Sequence, residues 1–176
     1  MLLGMQHALT HWDSPLVNFE DFDFPDGRGH GRRWVHIKRF HLPADSRTDQ
    51  ELLAALIAHP EFRDTYDGAG VRLEPRHGQW WAHRITPGTY VAVDESSATG
   101  TIRTWATSGV LPPQDLDARL QEAVYTPIRQ ATSRYALGDL AEDAQHDYGP
   151  IHIAFHELVL IDRHVGTIAL LVAADD

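Results

Sequence analysis

Residues 151–174 read IHIAFHELVLIDRHVGTIALLVAA, and this stretch decides the fold. Ile151 to Ile161 and Thr167 to Ala173 are two apolar runs rich in Ile, Val and Leu, the composition of strands. Between them lies Asp162-Arg163-His164-Val165-Gly166, where Gly166 suits a left-handed position that closes a hairpin. Pairing Asp162 with Thr167 sets the register. His156 then faces Ala173, Glu157 faces Val172 and Phe155 faces Ala174. Alternation puts His152, His156 and Leu158 on one face, and leaves Glu157 on the other among Phe155, Val159 and Val172. A carboxylate in such company must be paired, protonated or exposed at a sheet edge.

Other strands are available to extend this hairpin. Arg33 to Leu42 is predicted as a strand, with Val35 and Ile37 on one face and Trp34, His36 and Phe40 on the other. Val71 to Leu73, Gln79 to Ile85, Thr89 to Asp94 and Thr101 to Thr107 read as further strands separated by turns. Thr48 and Glu51 form a capping box ahead of a helix carrying Leu52, Leu53, Leu56 and Ile57, which Pro60 either ends or follows with a second turn through Phe62. A second stripe, Leu116, Leu120, Ala123 and Val124, is interrupted at Pro127. Thr126 as N-cap then predicts a new helix to about Leu137, with a kinked single helix as the alternative. The expected class is α+β: a mainly antiparallel sheet, two or three helices packed on one face, and a long C-terminal β-hairpin. One domain over residues 1–176 fits the length, with residues 1–31 partly irregular.

Composition excludes several functions. The chain has no Cys, so it has no disulfide framework, thiolate metal site or thiol nucleophile. Its formal charge is −10, which makes nucleic acid an unlikely partner. The charge is uneven: residues 27–43 carry Arg28, Arg32, Arg33, Lys38 and Arg39 and no acid, a local reversal suited to an anionic ligand or an acidic surface. Val165 to Ala174 is too short to span a bilayer, and the first residues lack a basic signal-type region, so a cytoplasmic protein is expected. Arg outnumbers Lys fourteen to one, a bias typical of GC-rich bacterial genomes.

Twelve His invite a metal reading, which the spacing weakens. On a strand, His152 and His156 have Cα atoms about 13 Å apart at roughly 3.3 Å per residue. That is too far for both rings to reach one ion through bonds of about 2 Å. His7 and His11 have helical chelating spacing, but only if residues 2–12 form a helix. No metal site or cofactor is therefore assigned. In Trp80-Trp81-Ala82-His83-Arg84, alternation puts Trp81 and His83 on one face.

Three functional readings follow. In the first, a small enzyme uses His83, His156 and His152 as acid–base groups in a sheet-face pocket. Trp81 contacts the substrate, and Arg39 or Arg84 holds an anionic group on it. This reading requires His83 and His156 to face one concave pocket. In the second, the chain is a non-enzymatic acidic module that binds a protein partner. In the third, it is a structural homo-oligomer whose apolar hairpin is covered on both faces by a partner. No Gly-x-Ser-x-Gly, P-loop or His-Glu-x-x-His motif favours a particular chemistry.

Overall fold

The structure is a computed structural model and describes residues 8–67, 75–147 and 152–176. In chain order the strands and helices are β1 (Thr10–Asp13), β2 (Leu16–Asn18), β3 (Arg33–His41), α1 (Asp49–Ala58), β4 (Arg76–His77), β5 (Trp80–Trp81) and β6 (Tyr90–Ala92). They continue with α2 (Glu95–Ala106), α3 (Gln114–Leu120), α4 (Thr126–Gln130), β7 (Ser133–Leu137), β8 (Ala154–Asp162) and β9 (Thr167–Asp175). Seven strands form one antiparallel sheet in the order β1-β3-β9-β8-β7-β6, with β2 also on β3. The α+β class, the antiparallel sheet and the terminal hairpin stand as the sequence predicts.

The hairpin is the centre of this sheet. β8 and β9 pair from Asp162↔Thr167 to Ala154↔Asp175, including His156↔Ala173 and Glu157↔Val172. β9 pairs on its other side with β3, from Arg33↔Asp175 to His41↔Thr167. Each face then has its own core. Val35, Ile37, Leu158, Leu160 and Leu171 pack against α2, α3 and α4 through Ile102, Leu116 and Ile128. On the opposite face, Phe40, Val159, Ile161 and Leu170 pack against α1 through Leu52, Leu53 and Leu56. Both faces of the hairpin are thus covered by this chain, which removes the premise that a partner must cover them.

Several local expectations are corrected. Residues 101–106 are helical, within α2, rather than a strand. Asp94 caps that helix by accepting from Ser97 N at 2.7 Å, and Ala98, Ile102, Trp105 and Ala106 make one buried stripe at helical spacing. The helix predicted to reach Leu137 ends at Gln130, and β7 follows it. Across Pro127 the helix is continuous through a π-helical turn at Gln121–Tyr125, the single-helix alternative. A proline lacks the N–H that an α ladder needs, so a locally widened turn is the expected accommodation. The strand read over Gln79 to Ile85 is shortened to β5, and Ala82–Arg84 form a 3-10 turn. Residues 10–18, expected to be irregular, supply β1 and β2. His11 therefore stands on a strand, not on the helix that chelating spacing required, while His7 and the strand read over residues 71–73 lie outside the described residues. Among the described residues no helix is long and apolar enough to cross a membrane.

Candidate functional site

Among the described residues, the sheet opens between β7 and β8, and His156 stands there. β7 pairs with β8 only as far as Ala136↔Leu158, whereas β7 continues along β6 to Leu137↔Tyr90. Gly138 holds the departing chain against β6 through Gly138 N–H to Thr89 O at 2.8 Å. A Cβ at Gly138 would stand 3.0 Å from that oxygen, so the absence of a side chain permits the close approach. The end of β8, residues 154–157, is consequently bonded along β9 and not along β7. Thr132 N–H donates to Ile161 O on the β7 side, and ladder alternation turns the backbone groups of Glu157 and Phe155 the same way, into the opening.

Helix α2 crosses this opening on the face that carries His156. Ser97, Thr101 and Thr104 lie along its flank and help form two clefts. One, of about 410 Å³, is lined by Trp80, Ser97 and Asp139 among others, and by the main chain of Glu157, whose side chain is fully buried. The second, of about 520 Å³, is lined by Arg33, Thr104, Trp105 and Asp175. Thr101 and His156 line both. His156 is half-buried, with its ring edge-on to Trp105 at 6.3 Å between centroids. Burial holds its imidazole below the ordinary value of 6.5, against a smaller opposing effect of the Asp175 charge. Such a ring is neutral at pH 7 and free to accept a proton.

On the other face the next residue, Glu157, is sealed in. Its carboxylate meets His77 Nε2 at 2.5 Å through Oε2 and accepts from the Tyr90 hydroxyl through Oε1. His77 Nδ1 lies 2.6 Å from Phe62 O. A carbonyl can only accept, so Nδ1 carries a hydrogen, and Nε2 and Oε2 hold one further proton between them. The Tyr90 phenol is pushed well above its usual value by burial and then by the Glu157 charge, so it remains a donor. Phe62 stacks on the His77 ring at 3.9 Å, and both His77 and Glu157 side chains are fully enclosed. No ligand reaches this triad directly. It ties β4, β6 and β8 together beside the opening.

The residues expected to form the site are dispersed. His83 is exposed on the 3-10 turn, 6.4 Å from the Trp81 ring, and lines neither cleft. Trp81 packs instead beneath Arg76 and against His146, and its neighbour Trp80 reaches the cleft. Arg84 makes a paired contact with Asp143 at 2.9 and 3.0 Å. Arg39 is engaged by Asp13 and lies over Trp12. His152, expected to share a face with His156, precedes β8 and turns the other way, edge-on to Trp34 and beside Phe155. Its Nδ1 is 3.3 Å from Asp176 Oδ1 without hydrogen-bond geometry. Alternation fails there because the strand has not yet begun. His156 alone of the expected acid–base residues lines the clefts. Among the described residues, no three His, Asp or Glu side chains are placed to hold a metal ion.

No protein-family model matches the chain, and no curated protein matches it in sequence.

Three groups near the opening carry no clear signal in the sequence. Arg33 was visible only as one charge of the basic segment, and Trp105 was concealed by the strand reading of residues 101–107. His77 stood in a predicted turn, and Glu157 on its apolar face left pairing, protonation and edge exposure open, so nothing in the sequence joined the two.

Proposed function

We propose that the chain is a small acid–base enzyme in which His156 acts on a small molecule lying in the groove between α2 and the end of β8. One observation carries this reading: a half-buried imidazole, held below its ordinary pKa, lines two adjoining clefts at the point where the sheet opens. Neutral imidazole is the form a general base requires, and the hydroxyls of Ser97 and Thr101 lie along the same groove. The form of this reading that required His83 and His156 to face one pocket is abandoned, because His83 is exposed and lines neither cleft. The version proposed here rests on His156 alone, without His83, His152, Trp81, Arg39 or Arg84.

Hydrolysis of p-nitrophenyl acetate tests it without knowledge of the natural substrate. The expected rate rises with pH through a midpoint below 6.5, the ordinary imidazole value, because deprotonated His156 is the active form. His156→Gln should lose about a hundredfold of that rate, the lower end of what general-base catalysis contributes. Equal rates in the two proteins would sink the proposal.

A further inference from the structure

We propose that the 520 Å³ cleft is a carboxylate-binding site, with Arg33 and Trp105 as its donors. This rests on the enzymatic reading of the groove and names the class of molecule it takes: a small monocarboxylic acid.

Three donors around this cleft are left without partners. Arg33 Nε, Arg33 Nη1 and Trp105 Nε1 are all buried, and none makes a hydrogen bond. Both residues line the cleft. Folded proteins rarely leave such groups unmet, and a guanidinium N–H is more expensive to leave unmet than a neutral one. A ligand oxygen supplies what these donors lack.

The guanidinium is also held in place. Arg33 Nη2 donates to Ser108 O at 2.7 Å, anchoring it just beyond the end of α2. Its other side lies against Gly31, where a Cβ would stand 3.2 Å from Arg33 Cζ. Gly31 has a φ of +56°, so the glycine serves the backbone and the close contact together. This gives a structural use to one glycine of the loop that precedes β3.

The surroundings select the charge of the ligand. Asp175 lines the same cleft, and its Oδ1 accepts from Ala154 N at 2.5 Å. The C-terminal end of α2, with its negative partial charge, is also close. One Arg set against these groups suits a single negative charge better than the higher charge of phosphate. A carboxylate held by Arg33 and Trp105 leaves the rest of the molecule beside His156, which borders both clefts.

Benzoate is the probe, followed through the Trp105 indole N–H resonance, which is identified by its loss in Trp105→Phe. Binding should move that resonance, and inorganic phosphate should bind more weakly than benzoate. Arg33→Gln should weaken benzoate by about tenfold or more, as expected for a charge-assisted hydrogen bond. An indole N–H that does not respond to benzoate in the wild-type protein would overturn the site. So would phosphate binding more tightly than benzoate, or unchanged benzoate affinity in a folded Arg33→Gln protein. The two proposals fail separately. If His156→Gln abolishes ester hydrolysis but benzoate leaves Trp105 unmoved, the carboxylate site is wrong and the catalytic reading stands. If benzoate binds as expected but hydrolysis is unchanged in His156→Gln, the site stands and the catalytic reading is wrong.

Discussion

His156 and Glu157 are sequence neighbours with opposite surroundings, because successive strand residues point to opposite faces. One borders open clefts and the other is 4% exposed in an aromatic-walled interior. Glu157 satisfies two partners at once, so its removal leaves both stranded. Glu157→Ala should destabilise the fold by about 3–5 kcal/mol in urea unfolding, the usual result of breaking a buried pair. Glu157→Gln should be much milder, since an amide can donate to His77 Nε2 and accept from Tyr90. Equal losses in the two variants would show that carboxylate charge, not the bonding pattern, stabilises the triad. The oddness of Glu157 was legible from alternation. Its partner was not, because His77 lies eighty residues away and reaches it only when β4 folds onto the sheet face.

Among the elements, the helix ends were read least well, and the reason is visible at Arg134. Its guanidinium donates to the carbonyls of Ile128, Arg129 and Ala131, the groups that a terminating helix leaves unpaired. The stop signal for α4 is therefore a side chain of the next strand, not a glycine just past the helix. Arg134→Ala should cost about 2 kcal/mol, in the range for hydrogen bonds to charged groups. Arg129→Ala, on the exposed side of α4, should cost under about 0.5 kcal/mol. Chemical denaturation compares the two, and similar losses would remove Arg134 as the cap. α1 was readable to its boundary because its signals are local: the Thr48 hydroxyl accepts from Glu51 N–H at 3.2 Å, and the Glu51 carboxylate accepts from Thr48 N–H at 2.7 Å. α2 had an equally local cap at Asp94, but Thr and Ile at 101–104 carried strand propensity that the buried stripe overrode.

For the whole molecule, β9 lies between β3 and β8, so residues 33–41 and 154–162 join the sheet through the last strand of the chain. Pairing across this separation is slow to form and, once formed, central to the cooperative core. Amides at Leu158 to Ile161 and Leu170 to Ala173 should therefore exchange with deuterium slowest, and those of the edge strands β1 and β6 fastest. Comparable protection at the edges and the centre would refute this account of where stability lies. Period-two alternation and a turn glycine are local properties, so the hairpin, its register and the two faces of β3 follow from the order of residues alone. Alternation also marked Glu157 as a carboxylate on an apolar face, and composition marked residues 27–43 as locally basic. Which charges remain available depends instead on packing between distant segments. Arg39 and Arg84 are engaged by Asp13 and Asp143, while Arg33 keeps two nitrogens unbonded. Tertiary packing likewise decided that β7 leaves β8 beside His156, which makes a cleft out of a continuous sheet. Such outcomes depend on the distances between elements far apart in the chain, and no periodicity within a single element encodes them.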